Sequence, residues 1–155
     1  MIQDNDIEVF RILIRFDNRI ISRLVEYCDR KIMTGEVVCD VVFDLSLCKN
    51  KECEAIDDLC RASIGLIENE MPSNVALSFL SRVYRESRFD LSAITDFTYK
   101  IYAHIPVMND KKRMSFLNIG QSVYDLEYSG SESGIRQWLD REFEEYEKYE
   151  NEIPL

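Results

Sequence analysis

His104 is the sole imidazole in the chain, so acid–base, nucleophilic or metal chemistry must be built around it or do without it. It stands beside Tyr102 on an apolar helical stretch, where packing at the edge of a core is the simpler role. A Cys–His nucleophile would need Cys28, Cys39, Cys48, Cys53 or Cys60 to meet it in space, and no spacing argues for that. No Cys-x-x-Cys pair occurs. Cys48 and Cys53 can in principle share a metal, but one distant His does not complete a zinc set, so no metal and no cofactor is expected. The acidic pairs Asp57-Asp58 and Glu144-Glu145 read as solvated helix faces. Gly65, Gly120, Gly130 and Gly134 match neither a P-loop nor a dinucleotide fingerprint. The expectation is a protein that is not an enzyme.

The elements that would position these residues are helical. Residues 4–33 read as one long amphipathic helix, with Ile7, Phe10, Leu13, Ile14, Ile20, Ile21, Leu24, Val25 and Cys28 at helical spacing. Asp4, Asn5 and Asp6 supply capping and favourable charge at its start, and Gly35 is a natural stop. Residues 36–48 carry Val37, Val38, Val41, Val42 and Phe43, which favour a strand, but such a strand has no partner and the spacing also fits a helix. We expect a helix there. Residues 52–69 form an amphipathic helix, broken at Met71-Pro72. Ser73 then caps a helix over about 74–87, and Asp90 or Ser92 caps another over about 91–105, ended by Pro106. Asn109 or Asp110 starts a helix to about 128, Ser129–Gly134 is a turn, and a last helix spans about 135–149. The expected architecture is all-α, one domain over 1–150 with a short charged tail at 151–155.

Composition narrows the function classes. The 155 residues are 46% hydrophobic and 31% charged, an ordinary globular balance. Twenty-nine acidic against 19 basic residues leave a net charge of -10, which repels nucleic acid and anionic membrane surfaces. The same acidity suits a basic or amphipathic partner, or serves solubility alone. No stretch approaches the ~18–20 apolar residues of a membrane span, so no integral anchor is expected. The N-terminus has no basic region followed by an apolar run, which predicts no secretory leader, a reducing compartment and free thiols. Cys28 and Cys60 fall on apolar stripes and are expected in the core.

Several short runs, taken in order, carry a family likeness. Leu59-Cys60-Arg61-Ala62-Ser63-Ile64-Gly65-Leu66 resembles an internal BH3 pattern. Val83-Tyr84-Arg85-Glu86-Ser87, Asp90-Leu91-Ser92-Ala93 and Ile94-Thr95-Asp96-Phe97 resemble the first Bcl-2 homology region, with an insertion at Arg88-Phe89. Met114-Ser115-Phe116-Leu117 resembles the next helix of that family, and Trp138-Leu139 the Trp-Ile of its second homology region. Over about residues 55–146 the chain therefore resembles the Bcl-2 family of apoptosis regulators, and in its divergence and missing anchor the viral Bcl-2-like proteins.

That resemblance implies a bundle of about seven helices around a central buried helix at about 91–105. It implies an inhibitor of apoptosis that holds a host pro-apoptotic BH3 helix in a groove lined by Leu59, Ile64, Phe79, Val83, Tyr84, Leu91, Ile94 and Phe97. The walls would come from 52–69, 74–87 and 91–101, with the intervening helix cut short by Pro72. The family's groove Arg, which pairs with an Asp of the BH3 helix, falls on Ala93; Arg88, Arg85 or Arg82 would have to replace it. Ser63-Ile64 in place of Gly-Asp argues against a role as a donated BH3 ligand. The implied location is host cytoplasm, peripheral at mitochondria through partners. Phe89 or Tyr128 would serve a homodimer. Two other expectations stand beside this one: the same fold blocking innate immune signalling through another surface, or a helical structural or assembly protein whose likeness is accidental.

Overall fold

A computed structural model describes residues 4–36, 38, 40–64, 68–125 and 131–155, the side chains of 62–64 lying outside that description. Among the described residues the chain is all-helical, with no strand. The helices are α1 (Asn5–Ile14), α2 (Ile20–Met33), α3 (Val41–Leu45), α4 (Cys53–Ile64), α5 (Met71–Glu86), α6 (Leu91–His104), α7 (Asp110–Ser122) and α8 (Glu132–Glu144), followed by a 3-10 helix at Glu147–Glu152. They fall into two compact units, Met1–Pro72 with Ile153–Leu155, and Ser73–Glu152.

In the first unit, α1 packs on α2 and α4, and α3 on the same two helices. Asp4 caps α1 by accepting from the N–H groups of Asp6 and Ile7 at 2.9 and 3.1 Å. The long helix expected over 4–33 is broken between Ile14 and Ile20. Asp17 makes the break: its side chain accepts from the Arg19 N–H at 2.9 Å and its carbonyl from Ile20 at 3.1 Å, a turn typical of a short acidic side chain. Gly35 ends α2 at a φ of 69°, a conformation glycine adopts without cost. The ambiguous stretch does contain a helix, at Val41–Leu45; Val37 and Cys39 lie outside the described residues. Every side chain from Ile7 to Ile14 is buried, so α1 is covered all round rather than along one stripe.

The second unit is built on α6 and α7, with α8 packed on α7. Pro72 does not cut a helix short. It lies in the first turn of the 16-residue α5, where a missing N–H is not needed. Ser73 is no cap; its hydroxyl accepts from the Val107 N–H at 3.2 Å. Asp90 caps α6 through the Ala93 N–H at 2.7 Å, and Asn109 caps α7. Ser131 caps α8, which therefore starts at Glu132, earlier than the expected 135. The 3-10 helix Glu147–Glu152 takes in the first two residues of the charged tail expected at 151–155.

The helix at 91–104 exists, but it is not the central buried one that the resemblance implied. Only Ile94, Phe97, Thr98 and Ile101 are buried, while Ser92, Asp96 and Tyr99 face water. Polar residues at every turn of its outer face keep it at the surface; the helix buried on all sides is α1.

Candidate functional site

The open side of α6, together with α7, forms a groove of about 760 Å³ in the second unit. Ala93, Leu117 and Gly120 form its small and apolar part, Tyr99 and Tyr124 its aromatic part, and Asp90 and Asp96 its acidic rim. Gly120 lets the two helices approach closely. A Cβ there would come within 2.5 Å of the Thr98 hydroxyl and 3.4 Å of the Thr95 carbonyl. Thr95 closes the contact by donating to the Gly120 carbonyl at 3.2 Å. The groove walls are thus held together by this close approach, while the rings stand out: Tyr99 is 56% and Tyr124 79% exposed. Among the described residues no lysine or arginine lines this groove.

The residues expected to line a BH3 groove are placed differently. Ile94 is fully buried. Tyr84 and Phe97 lie inside the second unit, their rings stacked 6.4 Å apart, and both meet Phe143 at about 6 Å. Phe79 is half-buried beneath the Arg82 guanidinium, 5.2 Å from its ring; Val83 and Leu91 are half-buried. Leu59 is half-buried on α4 of the first unit, and the side chain of Ile64 lies outside the described residues. Arg88 is exposed and lines a smaller cleft of about 490 Å³ with Arg85, Arg136 and Phe89. That cleft is electrically compensated, because Arg136 pairs with Glu132 at 2.8 Å, Arg85 approaches Glu147 at 3.7 Å, and Asp140 lines it too. Phe89 packs edge-on against Phe97 at 5.0 Å, and Tyr128 lies outside the described residues.

The strongest ionic cluster lies in the first unit. Arg11 donates twice to Glu8, at 2.6 and 2.7 Å, and once to Asp57 at 2.7 Å, and all three side chains are at most 8% exposed. Arg61 and Arg15 reach the other Asp57 oxygen at 2.9 and 3.3 Å. Burial works against the Asp57 carboxylate, but the hydrogen bond from Arg11 and the surrounding guanidinium charges outweigh it and hold its pKa below the ordinary value. Burial pushes the Cys60 thiol up to about 12, the reverse of what a nucleophile needs. Cys28 and Cys60 are core residues, as their stripes predict. His104 is exposed at the last turn of α6. Among the described residues no buried side-chain polar atom lacks a partner, and no group of acids, Cys and His is arranged to hold a metal ion.

The groove residues Tyr99, Leu117, Gly120 and Tyr124 are not among those picked from the sequence. Two signals pointed to them: a glycine inside a helix, and a tyrosine off the apolar stripe of α6. No protein-family model, no curated protein and no solved structure matches the chain.

Proposed function

We propose that this chain is a non-catalytic, viral Bcl-2-like inhibitor of apoptosis that sequesters a BH3 helix of a host pro-apoptotic protein. The observation that carries the reading is the place of residue 93. The position where the family's ligand-binding Arg falls opens onto the α6–α7 groove, next to the Asp90–Ser92 run that resembles the first homology region. An amphipathic helix laid along that groove buries its apolar anchors against Ala93, Leu117, Tyr99 and Tyr124. With Ala93 in place of Arg, affinity comes from apolar contact and the rings, not from a central charge-assisted pair. Such a protein works in the host cytoplasm and reaches mitochondria through its partners. Among the described residues no helix is long and apolar enough to cross a membrane.

Titration of a panel of BH3 peptides against the full chain tests the reading. Binding that shifts the resonances of Ala93, Tyr99, Leu117 and Gly120 is the expected result, and no binding by any peptide overturns it. One observation favours a second reading, a Bcl-2-like protein that blocks innate immune signalling through another surface. Tyr84, Ile94 and Phe97, which would line the family's groove, are packed inside the second unit. Recovery of signalling adaptors without BH3 proteins from stimulated cells would decide for it.

A further inference from the structure

We infer that the outer face of α3 is a second interaction surface, which takes a basic amphipathic helix. Phe43 and Leu47 anchor the apolar side of that helix, and Asp40 and Asp44 meet its lysines or arginines. The inference does not depend on what occupies the α6–α7 groove, which belongs to the second unit.

The division of side chains along this segment carries it. The backbone is helical from Asp40 through Ser46, and the Leu47 N–H still reaches the Asp44 carbonyl at 3.2 Å. Val41, Val42, Leu45 and Cys48 are buried on one face. Asp40, Phe43, Asp44 and Leu47 recur at helical spacing on the other, and all four are exposed. Phe43 is 51% and Leu47 81% exposed. One turn apart on one face, they form a joined apolar patch rather than two scattered side chains, and such a patch is stabilised by whatever covers it.

The charges on the same face decide what covers it. The Asp40 side chain makes no cap hydrogen bond at the start of α3. Among the described residues neither Asp40 nor Asp44 is in an ion pair. A second copy of the chain fits poorly, because a two-fold contact through this face sets the same acids against each other. A basic helix covers the apolar pair and neutralises both carboxylates, and the net charge of -10 favours its approach. Asp40 to Leu47 span about 10 Å at the helical rise, room for two turns of a partner, so the contact is small and its affinity modest.

The experiment titrates a synthetic helix, with leucines on one face and lysines on the other, into the full chain, followed by anisotropy and amide resonances. The resonances of Phe43, Asp44 and Leu47 are expected to shift. Leu47→Ser and Asp40→Asn/Asp44→Asn should each weaken binding about tenfold, the scale of one well-covered apolar contact, with little change in melting temperature. Asp58→Asn/Glu144→Gln removes the same charge from exposed positions elsewhere and should cost about twofold at most. Equal losses in the two charge variants overturn the inference, since net charge alone then draws the peptide. Binding that survives Leu47→Ser, with shifts confined to the α6–α7 groove, overturns it and leaves the groove reading standing. A dimer in sedimentation equilibrium that Leu47→Ser abolishes also overturns it, because a second copy is then the occupant. So does failure of the peptide to bind.

Discussion

Arg11 shows how a buried charge can be tolerated in a helix that is covered on every side. Glu8 and Asp57 hold its guanidinium from both ends, so α1 keeps two ionised side chains inside without an unpaired group. Arg11→Ala leaves Glu8 buried without its cation, whereas Asp57 retains Arg15 and Arg61. The expected loss is about 3–5 kcal/mol by urea unfolding, the usual result of breaking a buried pair. Asp57 makes a pH prediction of definite sign. Its folded pKa lies below the unfolded value of about 3.9, so its contribution is complete above that value and disappears as acid titrates the folded carboxylate. The stability gap between the natural chain and Asp57→Asn should be constant from neutral pH to about pH 5 and narrow below about pH 4. The three-residue spacing of Glu8 and Arg11 announces their pair, but nothing in the sequence announces Asp57, which joins them only where α1 and α4 pack.

At the scale of elements, short polar side chains decided where helices begin and end. Asp4, Asp90 and Asn109 cap the helices that their positions suggest. The sequence pattern failed at Asp17, since apolar residues continue in helical phase across the turn and hide the break. It failed again at Pro72, which stops a helix in mid-course but fits the start of one. The approach of α6 to α7 depends on Gly120. Gly120→Ala puts a Cβ against the buried, hydrogen-bonded Thr98 hydroxyl, and a destabilisation of about 1–3 kcal/mol is expected in thermal or urea melts. Thr98→Ala in the same chain should recover part of it. Recovery of nothing would show that the Thr95 carbonyl, 3.4 Å from the same Cβ, sets the cost.

For the molecule as a whole, the net charge of -10 matters most at its surface. If a basic helix occupies the outer face of α3, raising the ionic strength from about 0.05 M to about 0.5 M should weaken binding severalfold, because exposed charges lose their reach as the Debye length shrinks. The buried Arg11 cluster is screened far less, so the melting temperature should move little over the same range. The thiols give a complementary check on packing. Cys28 and Cys60 are buried, so a thiol reagent should reach them only in denaturant, while half-buried Cys53 reacts in the native protein. Early modification of Cys60 would show that the first unit opens far more readily than its packing allows.

The sequence by itself determined that the chain is helical, where most of the helices lie, and that Cys28 and Cys60 enter the core, though not that Cys48 joins them. Those features follow from residue types a turn apart, and local backbone physics suffices to read them. Only the tertiary structure decided which helix is covered on all sides, and that was α1 rather than α6. It also placed Tyr84, Ile94 and Phe97 in the interior and turned Ala93, Tyr99 and Tyr124 toward an open groove. An apolar stripe records that a helix buries one face; it does not record what covers the face. That depends on contacts between residues far apart in the chain, such as Thr95 with Gly120 and Arg11 with Asp57, whose pairing exists only after the helices have packed.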